Sequence, residues 1–153
     1  MNAKNVKIML MENSVAKILG RLEDVELSEA YKTKSNGLLN VIEIGEYKGH
    51  RYEIGFTSGP VAYVEMDNCL TDEEADEIPV HGGVTFKCYG EENGKRCEYD
   101  LIENEKFYIG WDYQHFGDKM VYSFGTLMEG KEWTRDEIIA EIYAVIELLE
   151  RKK

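Results

Sequence analysis

The sequence predicts an α+β fold: an antiparallel β-sheet meander packed by a C-terminal helix, with a helical segment at the N-terminus. Short runs of β-branched and aromatic residues separated by glycine turns predict the sheet, and apolar residues at helical spacing predict the helices. The 153 residues, 43% of them hydrophobic, are enough for one sizeable core. We therefore expect one compact domain, divided into a helical segment, residues 1–38, and an α+β core, residues 39–153.

The N-terminal segment is predicted to be helical because its apolar residues recur at spacings of three and four between Val6 and Leu22. Strand patterns follow, and a Tyr47-Lys48-Gly49-His50 turn joins the first two of them. We expect strands over residues 39–44, 51–56, 61–66, 84–89, 97–101, 106–113 and 120–127.

The C-terminal helix has the clearest start signal. Thr134 as N-cap and Glu137 at the third helical position form a capping box. A stripe at helical spacing follows and is interpreted as core packing; its residues are Ile138, Ile142, Val145, Ile146 and Leu149.

The charge is strongly negative and unevenly distributed. The chain carries 18 Lys and Arg against 30 Asp and Glu, a formal net charge of −12. The electrostatic field of a protein with this charge repels nucleic acid and attracts basic surfaces, so we expect no direct nucleic-acid binding. Binding to a host protein with a basic surface, such as a nucleic-acid-binding defence effector, remains compatible with it.

Residues 65–77 concentrate seven carboxylates and contain no basic residue. A charge run of this kind is usually a solvated loop or short helical turn. The alternatives are a cation site or a partner-docking edge, for which the candidate residues are Asp72, Glu73, Glu74, Asp76 and Glu77.

The remaining composition narrows the class of protein. The three cysteines are odd in number and lack Cys-x-x-Cys spacing, which argues against a zinc ribbon or a disulfide framework. No apolar run approaches the roughly 20 residues of a membrane-spanning helix, and the N-terminus lacks a signal-peptide pattern. We expect a protein of the host-cell cytoplasm with no membrane association.

Two glycine-flanked histidine motifs form the candidate site: His81-Gly82-Gly83-Val84-Thr85-Phe86, and residues 110–118. If the strand after the first motif pairs antiparallel with the strand before Tyr113, the start of one lies opposite the end of the other. The polar residues would then converge at one edge of the sheet, and the candidates are His81, Thr85, Asp112, His115 and Asp118.

This cluster has three interpretations. His81, Asp112, His115 and Asp118 could hold a divalent metal whose bound water attacks a phosphoryl or acyl group. Without metal, an Asp–His pair could perform general acid–base work. In a purely structural interpretation, the aspartates accept backbone N–H bonds inside a tight loop. We expect no resident cofactor, and we interpret His50 as a turn residue.

Over residues 40–150 the chain resembles a group of small proteins from phages and other mobile elements. The resemblance rests on residues 46–53 and 59–66, on His-Gly-Gly-x-Thr-Phe at residues 81–86, and on Gly-x-Asp-x-x-His-x-Gly-Asp at residues 110–118. A terminal helix opening with Trp133 completes it. That family has no assigned activity, so the resemblance implies an accessory role on a mobile element and no mechanism.

Together these observations favour a binding protein over an enzyme. The expected function is a counter-defence inhibitor, similar in kind to an anti-CRISPR protein, whose acidic residues imitate phosphates on a basic host surface. The alternative is a metal-dependent hydrolase or a small-molecule-binding protein that uses the His/Asp cluster.

Overall fold

The computed structural model describes residues 27–32, 39–67, 70–89, 107–121 and 126–153. Its centre is a five-stranded antiparallel sheet with the strand order β1-β2-β3-β5-β4. The strands are β1 (Asn40–Tyr47), β2 (His50–Phe56), β3 (Pro60–Met66), β4 (Phe86–Tyr89) and β5 (Phe107–Asp112). The predicted α+β class, with an antiparallel sheet and a C-terminal helix, is confirmed.

Three helices and a small ribbon complete the described part of the chain. The helices are α1 (Leu27–Ala30), α2 (Asp72–Asp76) and α3 (Arg135–Arg151), and the ribbon consists of β6 (Met120–Val121) and β7 (Leu127–Met128). The prediction of one strand over residues 120–127 is wrong, because the two ends of that stretch pair with each other antiparallel. The predicted helical stretch before Leu27 and the strand predicted at residues 97–101 lie outside the described residues.

The core lies between α3 and one face of the sheet. The predicted apolar stripe of α3 is buried through Ile138, Ile142, Val145 and Ile146, and Leu149 packs at its edge. The predicted capping box is confirmed, since Thr134 and Glu137 each accept the other's backbone N–H. Helix α1 belongs to the same core: Tyr31 packs edge-on against Phe56, with ring centroids 5.0 Å apart.

The β1–β2 hairpin closes through the predicted turn. Lys48 and Gly49 both have positive φ, at 49° and 82°, which is the geometry of a two-residue type I′ turn. Near the start of β1 a bulge inserts Ile42 between the pairs Val41–Gly55 and Glu43–Ile54. The bulge directs Glu43 toward α3, where its two carboxylate oxygens accept hydrogen bonds from Arg135 at 2.6 and 2.9 Å.

The face of the sheet that points away from α3 is also buried. Ile44, Tyr63 and Tyr108 on this face are each less than one-tenth exposed. Glu53 lies among them, 4% exposed, and its Oε1 has no hydrogen-bond partner among the described residues. Burial raises the pKa of Glu53 to about 8, although nearby Arg51 acts in the opposite direction.

Candidate functional site

Pairing of β4 with β5 brings the two histidine motifs together. Phe86 lies opposite Gly110, and Thr85 N donates to Gly110 O at 3.0 Å, which is the antiparallel arrangement predicted from the sequence. The rings of His81 and His115 therefore lie edge to face, with centroids 5.3 Å apart. The structure brings all five predicted residues to this corner of the sheet, as two separate histidine–carboxylate pairs.

Gly82 is required where the two motifs meet. Its φ is +72°, which side-chain-bearing residues rarely adopt. A Cβ at this position would lie 2.1 Å from His115 Nε2. The second motif can approach the first only because this residue has no side chain.

The inner pair, His81–Asp118, centres on a buried carboxylate: the Asp118 side chain is 4% exposed, and that of His81 is 26% exposed. His81 Nε2 lies 2.7 Å from Asp118 Oδ2, which also accepts the His115 backbone N–H at 3.0 Å. The other oxygen of Asp118 accepts the indole N–H of Trp133 at 2.9 Å. Burial acts to raise the pKa of Asp118, but the hydrogen bonds from Trp133, His115 and His81 outweigh it and lower the pKa.

Helix α3 fixes the inner pair through Glu141. One oxygen of Glu141 accepts the His81 backbone N–H at 3.0 Å, and the other accepts the Tyr113 hydroxyl at 2.5 Å. The His81 ring lies parallel to that of Tyr113 at 5.4 Å and tilts against that of Trp133 at 4.6 Å. Burial, followed by the Glu141 hydrogen bond, raises the pKa of Tyr113, so its hydroxyl remains a donor.

Glu141 and Trp133 were missed as partners of the cluster. A signal for Glu141 was present in the sequence, because it lies three residues after Ile138 and four before Val145 on the apolar stripe. A carboxylate at such a position needs a buried partner.

The outer pair, His115–Asp112, is partly exposed to solvent. His115 Nε2 is itself buried and lies 3.1 Å from Asp112 Oδ1 without the alignment of a hydrogen bond, whereas the two side chains as a whole are 35% and 27% exposed. Asp112 Oδ1 accepts the Gln114 backbone N–H at 3.1 Å. Its Oδ2 accepts the Thr85 hydroxyl at 3.3 Å. Both aspartates thus accept loop N–H groups, as the structural interpretation predicts.

The four candidate metal ligands form two separate pairs. The two imidazole Nε2 atoms face different carboxylates, one buried and one partly exposed. No group of three or more His, Cys, Asp or Glu side chains among the described residues is arranged to hold a metal ion. A divalent metal at His81, Asp112, His115 and Asp118 stays a prediction.

The acidic stretch forms the short helix α2, one of the two forms expected for it. Thr71 caps the helix, and a capping box with Glu74 closes its first turn through two bonds of 3.1 Å. Asp72 pairs with Lys87 of the neighbouring strand. The five predicted docking residues are all exposed: Asp72, Glu73, Glu74, Asp76 and Glu77.

His50 closes the predicted turn, but the interpretation of it as only a turn residue is wrong. It is the first residue of β2 and is only 4% exposed. Its Nδ1 lies 2.7 Å from the Glu65 carbonyl oxygen, and its Nε2 lies 2.5 Å from Glu150 Oε1 near the end of α3. Pairing with Tyr47 directs His50 toward α3, a long-range contact that its turn-like sequence context does not reveal.

Two clefts lie on either side of Thr85. The first has a volume of about 320 Å³ and is lined by Thr57, Tyr63, Thr85, Phe86, Trp111 and Asp112, among others. The second has a volume of about 340 Å³ and lies against α2, with Asp72, Asp76 and Lys87 in its wall. Thr85 belongs to both, so the outer pair and the acidic helix border one continuous surface.

Fold and site define an α+β protein with a five-stranded antiparallel sheet, a packed C-terminal helix and a histidine–aspartate corner. No protein-family model, curated protein or solved structure matches the chain. The resemblance to mobile-element proteins stays a prediction. None of the described helices is long and apolar enough to cross a membrane.

Proposed function

We propose that this protein binds a basic surface of another protein through helix α2. The observation that carries the proposal is the exposure of all five carboxylates of this segment, on a helix that has no basic residue in its last turn. A net charge of −12 adds long-range attraction toward a basic partner.

The geometry of α2 suits docking because the helix is held in place before it binds. The capping box fixes its first turn, and buried Ala75 attaches it to the rest of the protein. Because the helix is already ordered, less side-chain and backbone conformational entropy is lost when a partner binds.

The partner that fits this charge is a protein whose basic surface normally binds nucleic acid. Carboxylates on a rigid helix can occupy positions that phosphates would take on such a surface. Together with the resemblance to mobile-element proteins, this supports a counter-defence inhibitor that covers the nucleic-acid-binding surface of a host effector, as anti-CRISPR proteins do.

The test compares two variants with the same change in net charge. One replaces Glu73→Gln, Asp76→Asn and Glu77→Gln, which leaves the capping box and the Asp72–Lys87 pair intact. The other replaces three exposed carboxylates far from α2 in sequence: Glu129→Gln, Glu132→Gln and Asp136→Asn. Each is immobilised as bait for a bacterial host lysate.

We expect the wild type and the distant variant to capture the same nucleic-acid-binding protein at about 50 mM salt and to release it near 500 mM. Added DNA or RNA should compete for that protein, and the α2 variant should not retain it. A complex that is insensitive to salt, or equal loss of capture in both variants, would contradict the proposal.

A metal-dependent hydrolase or small-molecule-binding protein remains the second candidate, because the cleft of about 320 Å³ opens beside Asp112. A rise in Tm on adding Mn²⁺, Zn²⁺ or a nucleotide that disappears in Asp112→Asn would favour it over charge mimicry.

A further inference from the structure

We infer that the cleft beside Asp112 is a pocket for an arginine side chain of the partner protein. This inference rests on the proposed binding to a basic surface and identifies an anchor for it. The cleft volume of about 320 Å³ is near the lower end of the roughly 300–1,000 Å³ of ligand pockets. It therefore suits a single side chain better than a large ligand.

Asp112 provides the charge for this pocket. Oδ1 accepts the Gln114 N–H and also lies 3.1 Å from His115 Nε2, whereas Oδ2 accepts the Thr85 hydroxyl. A carboxylate has about four acceptor positions, so Oδ2 can accept a further N–H. The two intraprotein bonds hold the carboxylate still, which lowers the entropy lost when a guanidinium binds.

Aromatic rings line the same cleft. The rings of Tyr63 and Phe86 lie edge to face, with centroids 5.2 Å apart. A planar guanidinium can stack on an aromatic ring while its N–H groups pair with a carboxylate, whereas a lysine ammonium is a compact, strongly hydrated charge. The pairing of rings with one carboxylate therefore favours arginine over lysine.

The charges around the cleft agree with a cationic occupant. None of the described residues that line it is basic. The imidazole of His115, 35% exposed, has its Nε2 3.1 Å from Asp112 Oδ1. On the other side of Thr85, the second cleft adds Asp72 and Asp76, and Lys87 pairs with the first of these. An arginine in the pocket would thus lie beside the acidic helix.

The probe for this pocket is N-acetyl-arginine amide, titrated into the full chain and followed by NMR of the Gln114 backbone N–H, which donates to Asp112. The matched probes are the citrulline analogue, which has the same shape without charge, and the lysine analogue. We expect saturable binding of the arginine probe at about millimolar affinity, at least tenfold weaker binding of lysine, and none of citrulline.

Two variants separate the contributions of charge and aromatic surface. Asp112→Asn keeps a side-chain oxygen to accept from Gln114, and we expect it to weaken binding of the arginine probe at least tenfold. Phe86→Leu removes the aromatic ring without changing the charge, and it should also weaken binding of the probe. Asp136→Asn, which removes an exposed carboxylate on α3, should leave binding unchanged. Unsaturable binding, equal binding of lysine or citrulline, or full affinity in Asp112→Asn would overturn the inference.

The pocket and the proposed function can fail independently. If the arginine probe does not bind but the α2 variant still loses its salt-sensitive partner, only the pocket is wrong. If the probe binds as expected and no salt-sensitive partner is captured, the pocket stands and the proposed function is wrong.

Discussion

The inner and outer histidine–aspartate pairs contain the same residue types, and their imidazole rings lie 5.3 Å apart, yet their surroundings differ. Asp118 is 4% exposed and accepts bonds from His81, from Trp133 and from a backbone N–H. Asp112 is 27% exposed and retains acceptor capacity on the side of a cleft. Residue type therefore does not distinguish a buried, fully bonded carboxylate from a partly exposed one; burial and the number of bonds already made do.

The two carboxylates differ in what they bind. Asp118 of the inner pair connects the first motif, the loop of the second motif and Trp133 just before α3. Its hydrogen bonds therefore stabilise the folded corner. The outer pair is held in place by two bonds but faces solvent, which leaves it able to bind a cation.

The largest loss of stability is expected for Asp118→Asn. The amide group would place a donor against the Trp133 N–H or against the donors from His115 and His81, leaving a buried polar group unsatisfied. We expect the free energy of unfolding to fall by about 2–3 kcal/mol, measured by chemical denaturation.

Asp112→Asn is the matched control, because an amide at that position can accept from Gln114 and donate to the Thr85 oxygen. Asp112→Asn should lower the free energy of unfolding by less than about 1 kcal/mol. If the two variants lose similar stability, the distinction between an inner structural pair and an outer binding pair is wrong.

A smaller effect is expected where the two pairs meet. Gly82→Ala adds backbone strain of about 1–2 kcal/mol at φ +72° and a Cβ that collides with His115. Gly83→Ala carries the same kind of strain at φ +80° but meets nothing within 4 Å. NMR of the His115 ring should change only in Gly82→Ala, and equal changes in both variants would show that the contact does not position His115.

The sequence predicted the parts of the site that depend on local patterns. Alternation located the strands β4 and β5, and the hypothesis that they pair antiparallel, which the structure confirms, placed Thr85 and Asp112 at one corner. The capping box at Thr134 followed from spacing alone.

Contacts made across the fold were not predictable in this way. The bonds of Glu141 to Tyr113 and of His50 to Glu150 depend on where α3 lies on the sheet, which no short window of sequence encodes. The error at residues 120–127 has a similar origin: an apolar run does not distinguish one strand from two short strands that pair with each other.

Glu53 makes the protein sensitive to base. The folded chain retains the proton of this buried carboxyl until about pH 8, whereas an exposed glutamate releases it near its ordinary pKa of 4.5. The unfolded state therefore binds fewer protons between these values, and stability falls as pH rises through this range. Glu53→Gln should flatten the decline in Tm between about pH 4.5 and pH 8, and an unchanged profile would show that this carboxyl does not cause the decline.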